Sequence, residues 1–221
     1  MWNLIAWGFV CLAILSALYL AVLVYRHPEK MKIMNPVWIL TGLWASMLGV
    51  WAYFRFGQAP MNMPMEGMEM KNTRPLWEKA VLSSLHCGAG CVLADIIGET
   101  AGFYIFRHIP GWDIPWQWAT DYLLALIIGA YFQYAAIHTM LKGSVVDKLW
   151  KALKIDFLSL TGWQFGMYSF MYVVFFVPPA HIFTANEIIF WALMQLAMLT
   201  GFVIAYPINY ILIRSGYKPA M

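Results

Sequence analysis

Apolar residues in this chain run in long blocks, with polar residues gathered mainly in the connections between them. Six blocks reach the ~20 residues a membrane-spanning helix needs: residues 2–25, 36–54, 77–106, 121–141, 157–177 and 188–213. This pattern predicts an all-α integral membrane bundle of six transmembrane helices, forming one domain over residues 1–221. Between the fourth and fifth blocks lies KGSVVDKLWKALKID, residues 142–156, where Lys148, Trp150, Lys151 and Lys154 predict a short amphipathic helix at the membrane interface. Trp38, Trp51, Trp77, Trp116, Trp118 and Tyr217 fall near predicted helix ends, as interfacial anchors do.

The third block breaks the apolar rule. In SSLHCGAGCVLADIIGETAG, residues 83–102, it carries His86, Cys87, Cys91, Asp95 and Glu99. Ionisable groups at bilayer depth are costly, so such residues are expected to face the bundle interior and mark a site. Cys87, Cys91, Asp95 and Glu99 are each four apart, which spreads them over an arc of roughly 120° on one helix face. Ser83, Ser84, Gly90, Ala94, Gly98, Ala101 and Gly102 share that face, while Leu82, Leu85, Val92, Ile96 and Ile97 occupy the other. His86 sits about 100° from Cys87. It joins the thiols only if Gly88 and Gly90 distort the helix; in a regular helix it serves another contact.

Composition narrows the class further. With 62% hydrophobic and only 11% charged residues, the chain lies far from an ordinary soluble domain. Its net charge of +3 comes from residues clustered in connections, and no nucleic-acid motif accompanies it. With six spans, one side holds four Lys and Arg residues and the other ten, which predicts an inner-membrane protein with both termini cytoplasmic. Three cysteines, with Cys11 in the first block, do not make an extracellular disulfide framework. Nothing matches a hydrolase triad, a phosphate loop or a dinucleotide fingerprint, so no enzymatic activity is assigned.

The connection GQAPMNMPMEGMEMKNTRP, residues 57–75, contains Met61, Met63, Met65, Met68 and Met70. Thioethers are soft ligands that suit Cu(I), although a flexible linker resting methionines on the membrane surface accounts for them equally well. The thiols admit three readings. Cys87 and Cys91, on adjacent turns, could hold a soft metal with His86 or a Met as third ligand. They could form a redox pair, for which regular helix geometry is poor. They could also be small packing residues. On the fifth block, Asp156 and Gln164, with Met167, Met171 and Ser159, share an arc that could face the third helix as outer support.

The strings LHCGAGCVLADIIGE, DYLLALIIGAYFQYAAI, KIDFLSLTGWQFGMY and FWALMQLAMLTGFVIAYPINYILIRSGYKPAM resemble a prokaryotic family of multi-pass membrane proteins classed as a domain of unknown function. The motif HCGAGC-x-L-x-DIIGE carries the resemblance most specifically. It implies the helical membrane fold and no particular activity. The leading functional expectation is therefore a protein that binds or transports a soft metal ion, most plausibly Cu(I). In it, Cys87, Cys91 and His86 are ligands, the five loop methionines capture the ion, and Asp95 with Glu99 compensates charge or moves protons. The alternatives are a structural or assembly subunit, packing against a second copy or a membrane-complex partner, and a membrane thiol-disulfide oxidoreductase.

Overall fold

The computed structural model describes residues 1–29, 31–57, 74–138, 143–177 and 181–219, and these are helical with no strand among them. In order they form α1 (Trp2–Arg26), α2 (Met34–Ala52), α3 (Leu76–Tyr104), α4 (Ile114–Ile137), α5 (Val145–Phe176) and α6 (Ile188–Arg214). A π turn, Tyr53–Gly57, extends α2, and a 3-10 turn, Phe106–His108, follows α3. Five of the six, all but α5, are long and apolar enough to cross a membrane, so the chain is a multi-pass membrane protein. The methionine-rich connection, with Met61, Met63, Met65, Met68 and Met70, lies outside the described residues.

Helix α3 is the axis of the bundle. It packs against α2, α4, α5 and α6, and 78% of its most apolar stretch is buried, against 28–50% for the other four spans. Helices α1 and α2 form an antiparallel pair on one flank, with α1 also touching α6. Small residues permit their approach: a Cβ at Gly42 would stand 2.8 Å from the Ala17 backbone. The outward faces are apolar, with Leu4, Trp7, Leu15, Leu18, Met47 and Trp51 all exposed, as suits contact with lipid.

Two helices begin earlier than the hydropathy pattern predicts, and the difference moves two acids inward. Pro115 in the first turn of α4 supplies a favourable start, so the helix opens at Ile114 and Asp121 lies two turns inside it. Helix α5 is uninterrupted from Val145, so the amphipathic stretch expected as a separate interfacial helix is its first turns, and Asp156 sits in mid-helix, fully buried. Its start is fixed by a reciprocal cap. Ser144 Oγ accepts from the Asp147 N–H at 3.2 Å, and Asp147 Oδ2 accepts from the Ser144 N–H at 3.2 Å. The Ser144 hydroxyl, 2.7 Å from Asp147 Oδ2, and the Ser144 N–H both donate to the exposed Asp147 carboxyl and hold it below its ordinary value. Trp38 also departs from expectation. It is buried in the core against Tyr53 rather than anchored at an interface.

One residue of α2 leaves helical geometry altogether: Ser46 has φ 48° and ψ −125°. A non-glycine residue at positive φ is strained, and here it kinks the helix beside α6. The Ser46 hydroxyl donates to Gln195 Oε1 across that gap, at 3.3 Å.

Candidate functional site: the polar face of the third helix

Helix α3 is regular throughout Leu76–Tyr104, so the angular spacing of its side chains survives folding. Gly88, Gly90, Gly98 and Gly102 let neighbours lie directly on its backbone. A Cβ at Gly90 would stand 3.3 Å from the Gly129 Cα of α4, and one at Gly88, Gly98 or Gly102 would collide with Trp163, Asp121 or Gln117. The small face thus receives α4 along most of its length and the indole of α5 at one level.

At the level of Cys87 the helices assemble a polar cluster. The Cys87 thiol donates to Asp156 Oδ1 at 3.1 Å and shares a 3.0 Å hydrogen bond with Ser159 Oγ. Lys218, four residues beyond the end of α6, closes it. Gly216, at φ 75°, reverses the chain so that the Lys218 N–H reaches the Leu212 carbonyl at 3.1 Å. The side chain then turns into the bundle. Its Nζ donates to Asp156 Oδ1 at 2.5 Å, Asn209 Oδ1 at 2.8 Å and Cys87 Sγ at 3.3 Å. Asn209 in turn accepts from Ser83 Oγ and donates to Ser84 Oγ, each at 3.0 Å. Both sides of the Lys218–Asp156 pair are fully buried. Burial is the largest influence and opposes the Lys218 charge, but Asp156 and Cys87 together outweigh it and hold the ammonium above its ordinary value.

Reading charge from the connections treated Lys218 as a surface cation, whereas the structure buries it. A glycine followed within two residues by lysine, just after a helix end, was the local signal for a turn; nothing in it pointed inward. Asn209 was likewise not singled out, whereas Ser83 and Ser84 were already placed on the polar face of α3 by their spacing.

His86 packs against α4. Its ring stands edge-on to Phe132 of α4, 5.9 Å between centroids, and neither nitrogen makes a close hydrogen bond. Cys91 is fully buried one turn from Cys87, and the two are free thiols. Among the described residues, no three His, Cys, Asp or Glu side chains converge on a point that could hold a metal ion. The donors present around Cys87 are a poor fit for Cu(I), because the sulfur already faces an ammonium. Gln164, on the same α5 face as Asp156, is buried with neither amide atom hydrogen-bonded.

Further along α3 the acids form a second group. Asp95 is buried, and neither carboxyl oxygen has a hydrogen-bond partner. Glu99, one turn on and partly buried, lies against Asp121 of α4. Asp121 accepts from Gln117 Nε2 at 3.1 and 3.2 Å, and Gln117 Oε1 accepts from the Trp112 indole at 3.2 Å. Tyr168 of α5 closes this side, donating to the Trp118 carbonyl at 2.8 Å. One face of α3 therefore presents Cys87, Cys91, Asp95 and Glu99 in succession, with Asp156 and Lys218 at one end and Asp121 and Gln117 at the other.

A profile for "Domain of unknown function (DUF4396)" matches residues 76–218. The chain belongs to the DUF4396 family. The matched span opens at the start of α3 and closes on Lys218, so the family unit is α3–α6 together with the turn that delivers the buried ammonium. Helices α1 and α2 lie outside it. No curated protein and no solved structure matches the chain.

Proposed function

We propose that this DUF4396 protein is a proton-linked membrane carrier in which the acids of α3 pass protons through the bundle. The observation that carries this is Asp95, a carboxyl inside a membrane helix with neither oxygen hydrogen-bonded. A carboxylate stripped of water and partners is unstable in an apolar interior, so the group must take up a proton or a cation there. A packing role alone would be served better by the alanine or glycine found elsewhere on this face. Glu99 and Asp121 supply the next two stations toward one end of the bundle. At the other end of the face the Lys218 ammonium neutralises Asp156 through Oδ1, and the buried Asp156 Oδ2, without a hydrogen-bond partner, is left as a further acceptor on the path.

The soft-metal reading, with Cys87, Cys91 and His86 as ligands and Cu(I) as cargo, rests on residue types and their spacing, and no group of three His, Cys, Asp or Glu among the described residues is assembled behind it. The same applies to a Cys87–Cys91 redox pair. Counting α5 as a sixth span, the Lys and Arg distribution puts both termini of an inner-membrane carrier on the cytoplasmic side.

The purified full chain, reconstituted in liposomes with an internal pH-sensitive dye, tests the proposal under an imposed potassium–valinomycin potential. Wild-type vesicles should acidify or alkalinise faster than protein-free ones. Asp95→Asn should slow the flux by about tenfold or more, as loss of a proton-transfer group does, and Glu99→Gln should slow it less. Flux equal to that of empty vesicles, or unchanged by Asp95→Asn, would overturn it.

A further inference from the structure

The break at Ser46 does more than bend α2; it turns the helix back on itself. Trp38 and Tyr53, on either side of Ser46, meet edge to face with 5.5 Å between ring centroids, where a continuous helix would hold their Cα atoms about 22 Å apart. A Cβ at Gly49 would stand 2.9 Å from the Thr41 carbonyl oxygen, against about 12 Å along a straight axis. At the open end, a Cβ at Gly57 would stand 3.1 Å both from Trp38 and from Glu29 Oε1. Ser46 is therefore the apex of a hairpin with two helical legs, 34–45 and 47–57. Each leg is roughly 17 Å long, too short for the ~30 Å hydrocarbon core. Non-helical backbone at membrane depth is tolerated where protein covers it. Here the Ser46 hydroxyl is bonded to Gln195 of α6, and Trp44 stands edge-on to Trp163 of α5 at 5.3 Å.

The directions of the long helices require the same reversal. Asn3 and Trp7 of α1 line one cleft with Asn186 and Trp191, while Val10 and Ile14 line another with Met194 and Met198, so α1 and α6 run parallel. Asn209 of α6 is bonded to Ser83 and Ser84 of α3, whereas Met194 lies level with Val92 and Ile96, so α3 and α6 run antiparallel. Helices α1 and α3 are thus antiparallel. Had α2 crossed between them they would be parallel. With α2 returning, every Lys and Arg of the 14 except Arg107 belongs to the end of the bundle where α2 enters, a far stronger bias than six spans give, and that end is cytoplasmic.

We infer that α2 is a re-entrant hairpin that enters and leaves at the cytoplasmic face, so that the chain crosses five times, through α1 and α3–α6, with its N-terminus outside and its C-terminus inside. This replaces the six-span placement of both termini on one side, which registered the length of α2 and not its reversal. The inference stands without the proton-carrier reading. Its consequence for the path rests on that reading: α3 starts at the cytoplasmic end, so Glu99 and Asp121 lie toward the outside and protons enter the acid series from there.

Sided labelling tests the topology without any flux. In the full chain carrying Cys11→Ala, the exposed positions Asn3, Lys32, Lys151 and Asn186 are changed singly to cysteine. Each variant is exposed to a membrane-impermeant maleimide in right-side-out and in inverted vesicles from an expressing bacterium. The Cys11→Ala chain, with Cys87 and Cys91 buried, sets the background. Asn3→Cys and Asn186→Cys should label in right-side-out vesicles and lose labelling in inverted ones, and Lys32→Cys and Lys151→Cys should do the reverse. Labelling of Asn3→Cys on the face it shares with Lys151→Cys would make α2 a full crossing and overturn the inference, as would Lys32→Cys labelling with Asn186→Cys. Exchange of the two pairs between vesicle types would overturn the placing of the C-terminus inside.

Discussion

Lys218 and Asp156 form an ion pair with no exposure on either side, and what each is worth depends on the other. Breaking a buried pair from one side leaves an uncompensated charge, costing about 3–5 kcal/mol, whereas replacing both partners by apolar groups of similar volume can be nearly neutral. Lys218→Met and Asp156→Leu should therefore each lower unfolding stability in detergent by roughly 3–5 kcal/mol, while the double variant recovers much of the loss. Losses that simply add would show that the pair is not coupled. Of this cluster, Asp156 was legible beforehand because helical spacing put it on an arc with Ser159 and Gln164. Lys218 was not, because a lysine in a polar terminal segment reads as solvated unless the reversal at Gly216 is known. His86 was decidable only in the conditional, and the regularity of α3 turned it toward Phe132.

At the scale of elements, the glycines of α3 set how close α4 can come. Gly98 lies under Asp121 and Gly102 under Gln117, so Gly98→Leu or Gly102→Leu forces α4 outward and breaks the hydrogen-bonded end of the acid series. Each should lose at least about 2 kcal/mol, the upper range for overpacking a filled interior. Gly8→Leu on α1, where a Cβ would meet nothing within 4 Å, should be close to neutral in the same thermal-unfolding assay. Similar effects at all three positions would remove the argument for tight α3–α4 contact. The existence of this face was readable from the sequence, since 100° per residue puts the small and acidic side chains together in any regular helix. Its partner was not. Hydropathy placed the start of α4 at Asp121 rather than Ile114, because TrpGlnTrp and Thr in its first turns dilute the apolar signal, so Asp121 lies two turns inside the helix rather than at its start. The amphipathic first turns of α5 misled in the same way: lysines change the hydropathy but do not interrupt the helix.

For the whole molecule, the matched family span and the closure of the bundle coincide. The unit that begins with α3 ends on the lysine whose ammonium reaches the Cys87 thiol of that helix, so the C-terminal turn seals the end of the polar face. The turn is held by the Ser215, Gly216 and Lys218 N–H groups on carbonyls of the last turn of α6, the Ser215 hydroxyl on the Leu212 carbonyl, the Tyr217 hydroxyl on the Lys154 carbonyl at 3.2 Å, and the buried ammonium itself. Loss of the turn should open Cys87 to water while leaving the spans in place, since α6 already ends at Arg214. In the intact protein, reconstituted in vesicles, a membrane-impermeant maleimide should leave Cys87 and Cys91 unmodified, both being fully buried. Removing residues 215–221 should make Cys87 reactive from the side that carries the C-terminus, with Cys91, a turn deeper along α3, reacting more slowly. Which face of the vesicle admits the reagent then reports orientation directly, independently of the Lys and Arg count. Equal protection of Cys87 in the intact and shortened chains would mean that packing of α3 against α5, through Asp156 and Ser159, shields the thiol without the lysine turn.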